Sequence, residues 1–430
     1  MSRKRVVRPR LLYSDDQGVI RDHPRLLAVG SRGGEPEPLS GSTLLPLPRG
    51  SDLFFLPGRS PLGQDPVTGE TVLFEEEHGR PVHAVAAFLA PAHTIDLLAA
   101  YRTRPRAPAL PLFSYGAVGF AAGRHWTQAR RVDPDTRQDP WRFDLPAIER
   151  AVEAALEWKG ANALLQQLRR CALEYQCRAA QNFFLGRHEA PLPISSACNA
   201  RCLGCISLQP DGRFKAAHER IGRPPLPEEV AEVALAHIAR VPQAVVSFGQ
   251  GCEGEPLLMG DLIREAVRLI RAQTDRGTVN LNSNASLPGV VAELADLGLD
   301  SLRVSMNSAQ PSLYEAYYCP RGYRLADVER SMRAMSERGR FVSLNLLYFP
   351  GITDREAEVD ALSRFLARTG ARMIQLRNLN LDPEVYRLAM PARARGAGMG
   401  LDAFVRALKH RAPRLRFGYF NPPKERYRRW

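Results

Sequence analysis

From Pro191 to about Arg377 the sequence alternates short apolar runs with longer stretches of helical period. Six runs read as strands: LPIS (192–195), AVVSF (244–248), VNLNS (279–283), LRVSM (302–306), VSLNLLY (342–348) and MIQLR (373–377). The stretches between them carry apolar residues at spacings of three and four, as in Val230, Val233, Ala234 and Ile238, or Leu262, Ala266, Leu269 and Ile270. Their ends are marked: Pro227 suits a first helical turn, Asp261 and Asp354 can begin helices, and Gly298 and Gly339 can end them. Parallel strands need crossover helices, so this pattern predicts a parallel sheet with right-handed connections. In such sheets ligands bind beyond the carboxyl ends of the strands. Those loops are therefore where chemistry is sought.

The rest of the chain reads differently. Residues 1–110 are rich in Pro and Gly, with short apolar runs such as RLLAVG, DLFFLPG and ETVLF, and read as a small β-rich amino-terminal domain. His78 and His83 flank a turn there and read as surface residues rather than ligands. Residues 111–185 read as a helical connector, in which Leu164, Leu168, Cys171 and Tyr175 form one apolar stripe. Cys171 is thus expected in the core, and Cys177, six positions on, away from that stripe. The strand–helix region is expected over 186–385, followed by a basic helix and tail over 386–430.

No apolar run approaches the ~18–20 residues that a membrane span requires. The basic start, MSRKRVVRPRLLYSDD, lacks the apolar segment of a signal peptide, and a cytoplasmic location is expected. The net charge of +13 favours anionic partners, RNA among them, although no nucleic-acid-binding motif accompanies it. Seven cysteines in a chain of this kind point to metal binding or catalysis rather than to a disulfide framework.

Three of the seven lie in the loop after the first expected strand, in ACNARCLGC: Cys198, Cys202 and Cys205. Soft thiolates at this spacing suit zinc or an iron–sulfur cluster. A structural zinc site takes four ligands, and no fourth Cys or His lies within ten residues downstream of Cys205. Three thiolates on a four-iron cluster leave one iron open, which is a catalytic arrangement.

This C-x3-C-x2-C loop resembles that of the radical S-adenosylmethionine (radical SAM) superfamily. The resemblance implies a partial (β/α)6 TIM-like barrel in an α/β chain. It also implies a [4Fe–4S] cluster on Cys198, Cys202 and Cys205, with S-adenosylmethionine (SAM) chelating the open iron. After the second strand, SFGQGCEGEPLL looks like the family's glycine–glycine–glutamate motif, in which Gly251, Gly254, Glu255 and Pro256 match positions that hold the SAM amino group. Glycines let backbone approach closely, and a carboxylate pairs with an ammonium. At the ends of strands three and four, Asn282, Asn284, Ser305 and Asn307 occupy positions where the family contacts SAM. Arg303 is expected to alternate to the outer face.

The activity so implied is reductive cleavage of SAM to a 5′-deoxyadenosyl radical that abstracts hydrogen from a substrate. Peptide or protein modification and RNA modification are the two substrate classes expected, with a reductant such as flavodoxin or ferredoxin as partner and no membrane. The competing reading is a non-catalytic iron–sulfur or zinc-binding protein. Cys252 and Cys319 are candidate catalytic cysteines, able in principle to relay hydrogen or accept a methyl group, and otherwise small apolar residues in a cleft wall. Tyr314, Tyr317, Tyr318 and Tyr323 are expected to line or cover the cavity mouth.

Overall fold

The computed structural model describes residues 7–209 and 211–429. The chain forms two compact units. One gathers the chain up to Pro134 with Tyr348–Asp360 and Arg377–His410; the other comprises Asp135–Leu347, Ala361–Leu376 and the chain from Arg411 onward.

The first unit is built on an antiparallel sheet whose long strand, Ile20–Arg32, pairs with Arg10–Ser14, Glu35–Pro38 and Arg59–Gln64. Arg32 lies opposite Glu35, so the hairpin turn has two residues, Gly33 and Gly34, at φ +64° and +101°. Such a tight turn needs positive φ at both positions, which is why glycine stands at each. His83 is not at the surface as expected. It is buried on strand His83–Phe88, with Nε2 2.7 Å from Asp16 Oδ1 and Nδ1 accepting from Gly58 N. Asp354 likewise does more than begin a helix. It is fully buried, accepts from Gly351 N and Gly400 N, and takes Arg32 Nη1 at 3.0 Å, while the same Nη1 holds Asp96 at 3.0 Å. One guanidinium thus neutralises two buried carboxylates.

The second unit carries seven strands in sequence order: β1 (Glu189–Leu192), β2 (Val245–Phe248), β3 (Thr278–Ser283), β4 (Ser301–Met306), β5 (Phe341–Tyr348), β6 (Met373–Asn378) and β7 (Arg416–Gly418). The pairs β1–β2, β2–β3, β3–β4, β4–β5 and β6–β7 are parallel. Before β1 comes helix α1 (Ala163–Leu173); the crossovers include α2 (Pro227–Arg240), α3 (Gly260–Gln273), α4 (Pro288–Leu297), α5 (Pro311–Tyr318), α6 (Leu325–Glu337) and α7 (Glu356–Thr369). The partial (β/α) barrel expected from the sequence is therefore present. Two details differ. The three-residue β7 was not foreseen, because a run this short carries no periodicity. And β1 ends at Leu192, three residues before the end of the run expected for it: the N–H groups of Ile194 and Ser195 are taken by the Glu253 carboxylate, not by a neighbouring strand.

Apolar residues at alternate positions of the strands are fully buried against the helices, as Leu302, Val304 and Met306 are on β4. The intervening positions are polar and bond to one another across the sheet. Asn280 Nδ2 donates to Ser247 Oγ, Ser301 Oγ to Asn280 Oδ1, and Arg303 Nη1 to Gln375 Oε1 at 3.1 Å. Arg303, expected on the outer face, thus belongs to this polar face. Buried polar groups of this kind are tolerated only when hydrogen-bonded, so the network is a condition of the fold.

Candidate cofactor site

The loop after β1 and the loop after β2 are bonded together by backbone. Gly254 N donates to Ser195 O and Glu255 N to Ala197 O, both at 2.7 Å. Gly254 is pressed so close that a Cβ there would lie 1.9 Å from Ala197 O. Only glycine fits, for reasons of space rather than of dihedral freedom.

Glu253, outside the motif that the sequence shows, pins both loops at once. Its Oε1 accepts from Gly249 N (2.8 Å) and Gln250 N (2.7 Å); its Oε2 accepts from Ile194 N (2.8 Å) and Ser195 N (3.0 Å). Burial pushes this carboxyl up to about 8, against the pull of those four donors. The signal in the sequence was the doubled acid of CEGEP, where only the second was read as functional.

Glu255 is also buried, and accepts from Ser283 Oγ (2.5 Å), Leu257 N (3.0 Å) and Asn284 N (2.8 Å). Burial pushes it up to about 7, with Ser283, Asn284 and Leu257 pulling it down. Asn284 extends the link: its Nδ2 donates to Asn199 Oδ1 in the cysteine loop at 2.7 Å. Pro256 is buried at the start of the 3-10 turn Pro256–Met259, and Gly251 is exposed beside Ile206.

The cysteine loop is held from its other side by the end of α5. Arg201 N donates to Tyr318 O, Leu203 N to Tyr317 O, and Arg321 N to Asn199 O. Tyr314 and Tyr318 stack at 4.6 Å, and both, with Tyr317 and Tyr323, are buried. These buried tyrosines form a wall against the thiol loop.

Cys198, Cys202 and Cys205 are half-buried together in this loop. Burial, and then the charges of Cys205 and Cys198, hold the Cys202 thiol well above its ordinary value; burial also raises Cys198. Cys205 differs. Burial opposes its ionisation, but donors from Ser207 and Arg220 outweigh it and bring the thiol below its usual value. Arg220 Nη2 lies 3.7 Å from Cys205 Sγ, while its Nε reaches Ser207 Oγ and its Nη1 Ser196 O. Among the described residues no three Cys, His, Asp or Glu side chains already stand in metal-holding geometry. The donor chemistry nevertheless fits a cluster: three soft thiols in one loop, two of them raised in part by the charge of Cys205, and Cys205 itself primed by a guanidinium.

Of the strand-end candidates, Asn282 is engaged in scaffolding, donating to Gly249 O and accepting from Asn280 and Asn421. Asn307 Nδ2 donates to Leu313 O. Ser305 is half-buried, level with Asn345 on β5, whose buried Oδ1 has no protein partner. Asn345 was not singled out in the sequence; its place in the polar alternation of β5 was the available signal. Cys319 is exposed in the left-handed region at the end of α5, φ +44°, while Cys252 is buried in the loop after β2.

Comparison with known proteins gives three kinds of result. Residues 192–362 match the Radical SAM superfamily. No curated protein matches the chain. Among solved structures, the chain is similar to a radical SAM methyltransferase from Sphaerobacter thermophilus, at 17% identity and a TM-score of 0.37, covering 54% of this chain and 64% of that one. It is similar to a methylornithine synthase at 12% identity and a TM-score of 0.38, covering 64% and 71%. Similarity to Streptococcus suis SuiB bound to its precursor peptide SuiA stands at 13% identity and a TM-score of 0.38, covering 63% and 62%. The chain thus spans less than two thirds of the methyltransferase's length.

Proposed function

We propose, from the match of residues 192–362 to the Radical SAM superfamily, that the chain is a radical SAM enzyme with its cofactor site between the loops after β1 and β2. The superfamily's [4Fe–4S] cluster and SAM supply a reductively generated 5′-deoxyadenosyl radical for hydrogen abstraction. In this reading Cys198, Cys202 and Cys205 hold the cluster. Glu255 receives the SAM ammonium, Gly251, Gly254 and Pro256 shape the backbone around it, and Asn282, Asn284, Ser305 and Asn307 furnish or brace the remaining contacts.

One observation carries the reading. The thiol loop and the glutamate loop share backbone hydrogen bonds, Gly254 N to Ser195 O and Glu255 N to Ala197 O, so a ligand on one meets the other. What this chain's residues do is orient and exclude. The tyrosine wall keeps water from the back of the thiol loop, Arg220 favours the Cys205 thiolate, and Glu253 fixes the backbone of both loops. A one-electron donor of the flavodoxin or ferredoxin type completes the requirement. The net charge of +13 supports an anionic substrate, RNA ahead of peptide or protein.

The test is anaerobic reconstitution with iron and sulfide, followed by electron paramagnetic resonance and product analysis. Added SAM is expected to change the signal of the reduced cluster, and dithionite to yield 5′-deoxyadenosine. An unchanged signal with no 5′-deoxyadenosine would leave a non-catalytic metal-binding protein.

A further inference from the structure

Two cysteines outside the thiol loop lie against each other. Cys171, on α1, and Cys252, in the loop after β2, are 81 positions apart in sequence, and their sulfurs are 3.4 Å apart. Both are buried, Cys171 at 1% and Cys252 at 7% exposure, and Gln167 Nε2 lies 3.4 Å from the Cys171 sulfur. The apolar stripe of α1 accounts for Cys171 as a core residue. It does not account for a second thiol arriving from a distant loop to meet it.

The loop that supplies Cys252 is the one that makes the site. Its neighbour Glu253 binds the amides of Ile194, Ser195, Gly249 and Gln250, and Gly254 and Glu255 are bonded to Ser195 O and Ala197 O, one residue before Cys198. The Cys252 carbonyl accepts from Ile221 N at 3.0 Å, in the segment that also bears Arg220. Whatever moves Cys252 therefore moves backbone on both sides of the site.

We infer that Cys171 and Cys252 form a redox-responsive pair, in which oxidation by a peroxide joins them as an internal disulfide and withdraws the loop after β2 from its working position. The balance is simple: two S–H bonds break, one S–S bond forms, and the peroxide O–O bond takes up the two electrons and two protons to give two waters. A disulfide requires sulfurs about 2 Å apart, so closure brings the two sulfurs, now 3.4 Å apart, more than an ångström closer and pulls on both the loop and α1. The loop cannot follow freely, since Gly254 N and Glu255 N are held by Ser195 O and Ala197 O at 2.7 Å. The hydrogen bond between the two sulfurs favours the Cys171 thiolate and, with burial, holds the Cys252 thiol up, so Cys171 is the sulfur favoured for attack. A dithiol reductant reverses the change. The disulfide rests on the pair's own geometry; its effect on SAM rests on the cofactor site proposed above.

The test uses the full-length chain before cluster insertion. It is treated with hydrogen peroxide, quenched with an alkylating agent and digested for mass spectrometry. The expected product is a cross-linked peptide pair containing Cys171 and Cys252, two hydrogens lighter than the reduced pair and abolished by dithiothreitol. Alkylation of both residues after peroxide, or cross-links confined to Cys198, Cys202 and Cys205, overturns the inference. The second arm reconstitutes the cluster in oxidised and reduced chains and measures SAM binding by calorimetry. Oxidised wild type should bind at least several-fold more weakly, with recovery on dithiol treatment, while Cys171→Ser and Cys252→Ser bind alike with or without peroxide. Equal binding by oxidised and reduced wild type would overturn the coupling. If the reduced protein binds no SAM, the cofactor assignment fails, and the cross-link result alone decides the disulfide.

Discussion

Arg220 points a guanidinium nitrogen at the Cys205 sulfur from 3.7 Å while holding Ser207 and Ser196 with its other nitrogens. Of the three thiols in the loop, it is Cys205 that sits below its ordinary value, and Arg220 is among the causes. A cation here favours extra negative charge on the thiol loop. In the reconstituted protein, Arg220→Gln should therefore make the cluster harder to reduce, by on the order of tens of mV for one partly screened charge. Arg220→Lys should recover part of the shift. A redox titration followed by electron paramagnetic resonance reads this, and an unchanged potential in Arg220→Gln would separate Arg220 from the cluster.

Replacing Cys198, Cys202 or Cys205 by Ala should each abolish the visible absorbance of the reconstituted cluster, because three thiolates leave none to spare. Cys171→Ser should retain it. The absorption spectra, with iron and sulfide counted per chain, distinguish this from a site that recruits the distant pair.

Gly254→Ala places a methyl group 1.9 Å from Ala197 O, a backbone atom that cannot step aside. A stability loss of about 2–4 kcal/mol is expected, with cofactor loading lost. Gly289, in the first turn of α4, has open space around it, and Gly289→Ala should be neutral or stabilise by up to about 1 kcal/mol. Urea unfolding of the two variants makes the comparison.

Glu255 is pushed up to about 7 by burial, so below that pH the unliganded carboxyl carries a proton much of the time. An ammonium placed beside it favours the ionised form and expels the proton. SAM binding should therefore release protons below pH 7, and release should fade as pH rises past 7. Calorimetry in buffers of different ionisation enthalpy measures it. Proton uptake, or none at any pH, would show that Glu255 does not meet the ammonium.

In the first unit, Arg32→Met would leave Asp96 and Asp354 buried without their shared cation. Removing one partner of a buried ion pair costs about 3–5 kcal/mol. Thermal unfolding should show the loss, and pairing the substitution with Asp96→Asn should return part of it.

The sequence made the strands and helices of the barrel legible because their evidence is periodic. Strands such as β4 and helices such as α3 carry apolar spacings that survive without any knowledge of neighbours. The cysteine loop was legible because its chemistry is local, three thiols within eight residues. What could not be read was set by meetings between distant segments. Glu253 matters through Ile194 and Ser195, Arg220 through Cys205, and Cys252 through Cys171. None of these pairings leaves a pattern along the chain. The expectation that Arg303 faces outward failed for a related reason: alternation gave two faces, and only the contact with Gln375 shows that the polar one is shared across the sheet.

The four amides gathered by the Glu253 carboxylate also bear on timing. A loop rich in glycine would ordinarily have to settle around its ligand, and that settling would slow capture. Here the backbone is already fixed before anything arrives. Association should then be limited by diffusion into the barrel mouth and by desolvation, with little dependence on loop closure. Discrimination would fall to the shape of a rigid site, which tolerates few analogues.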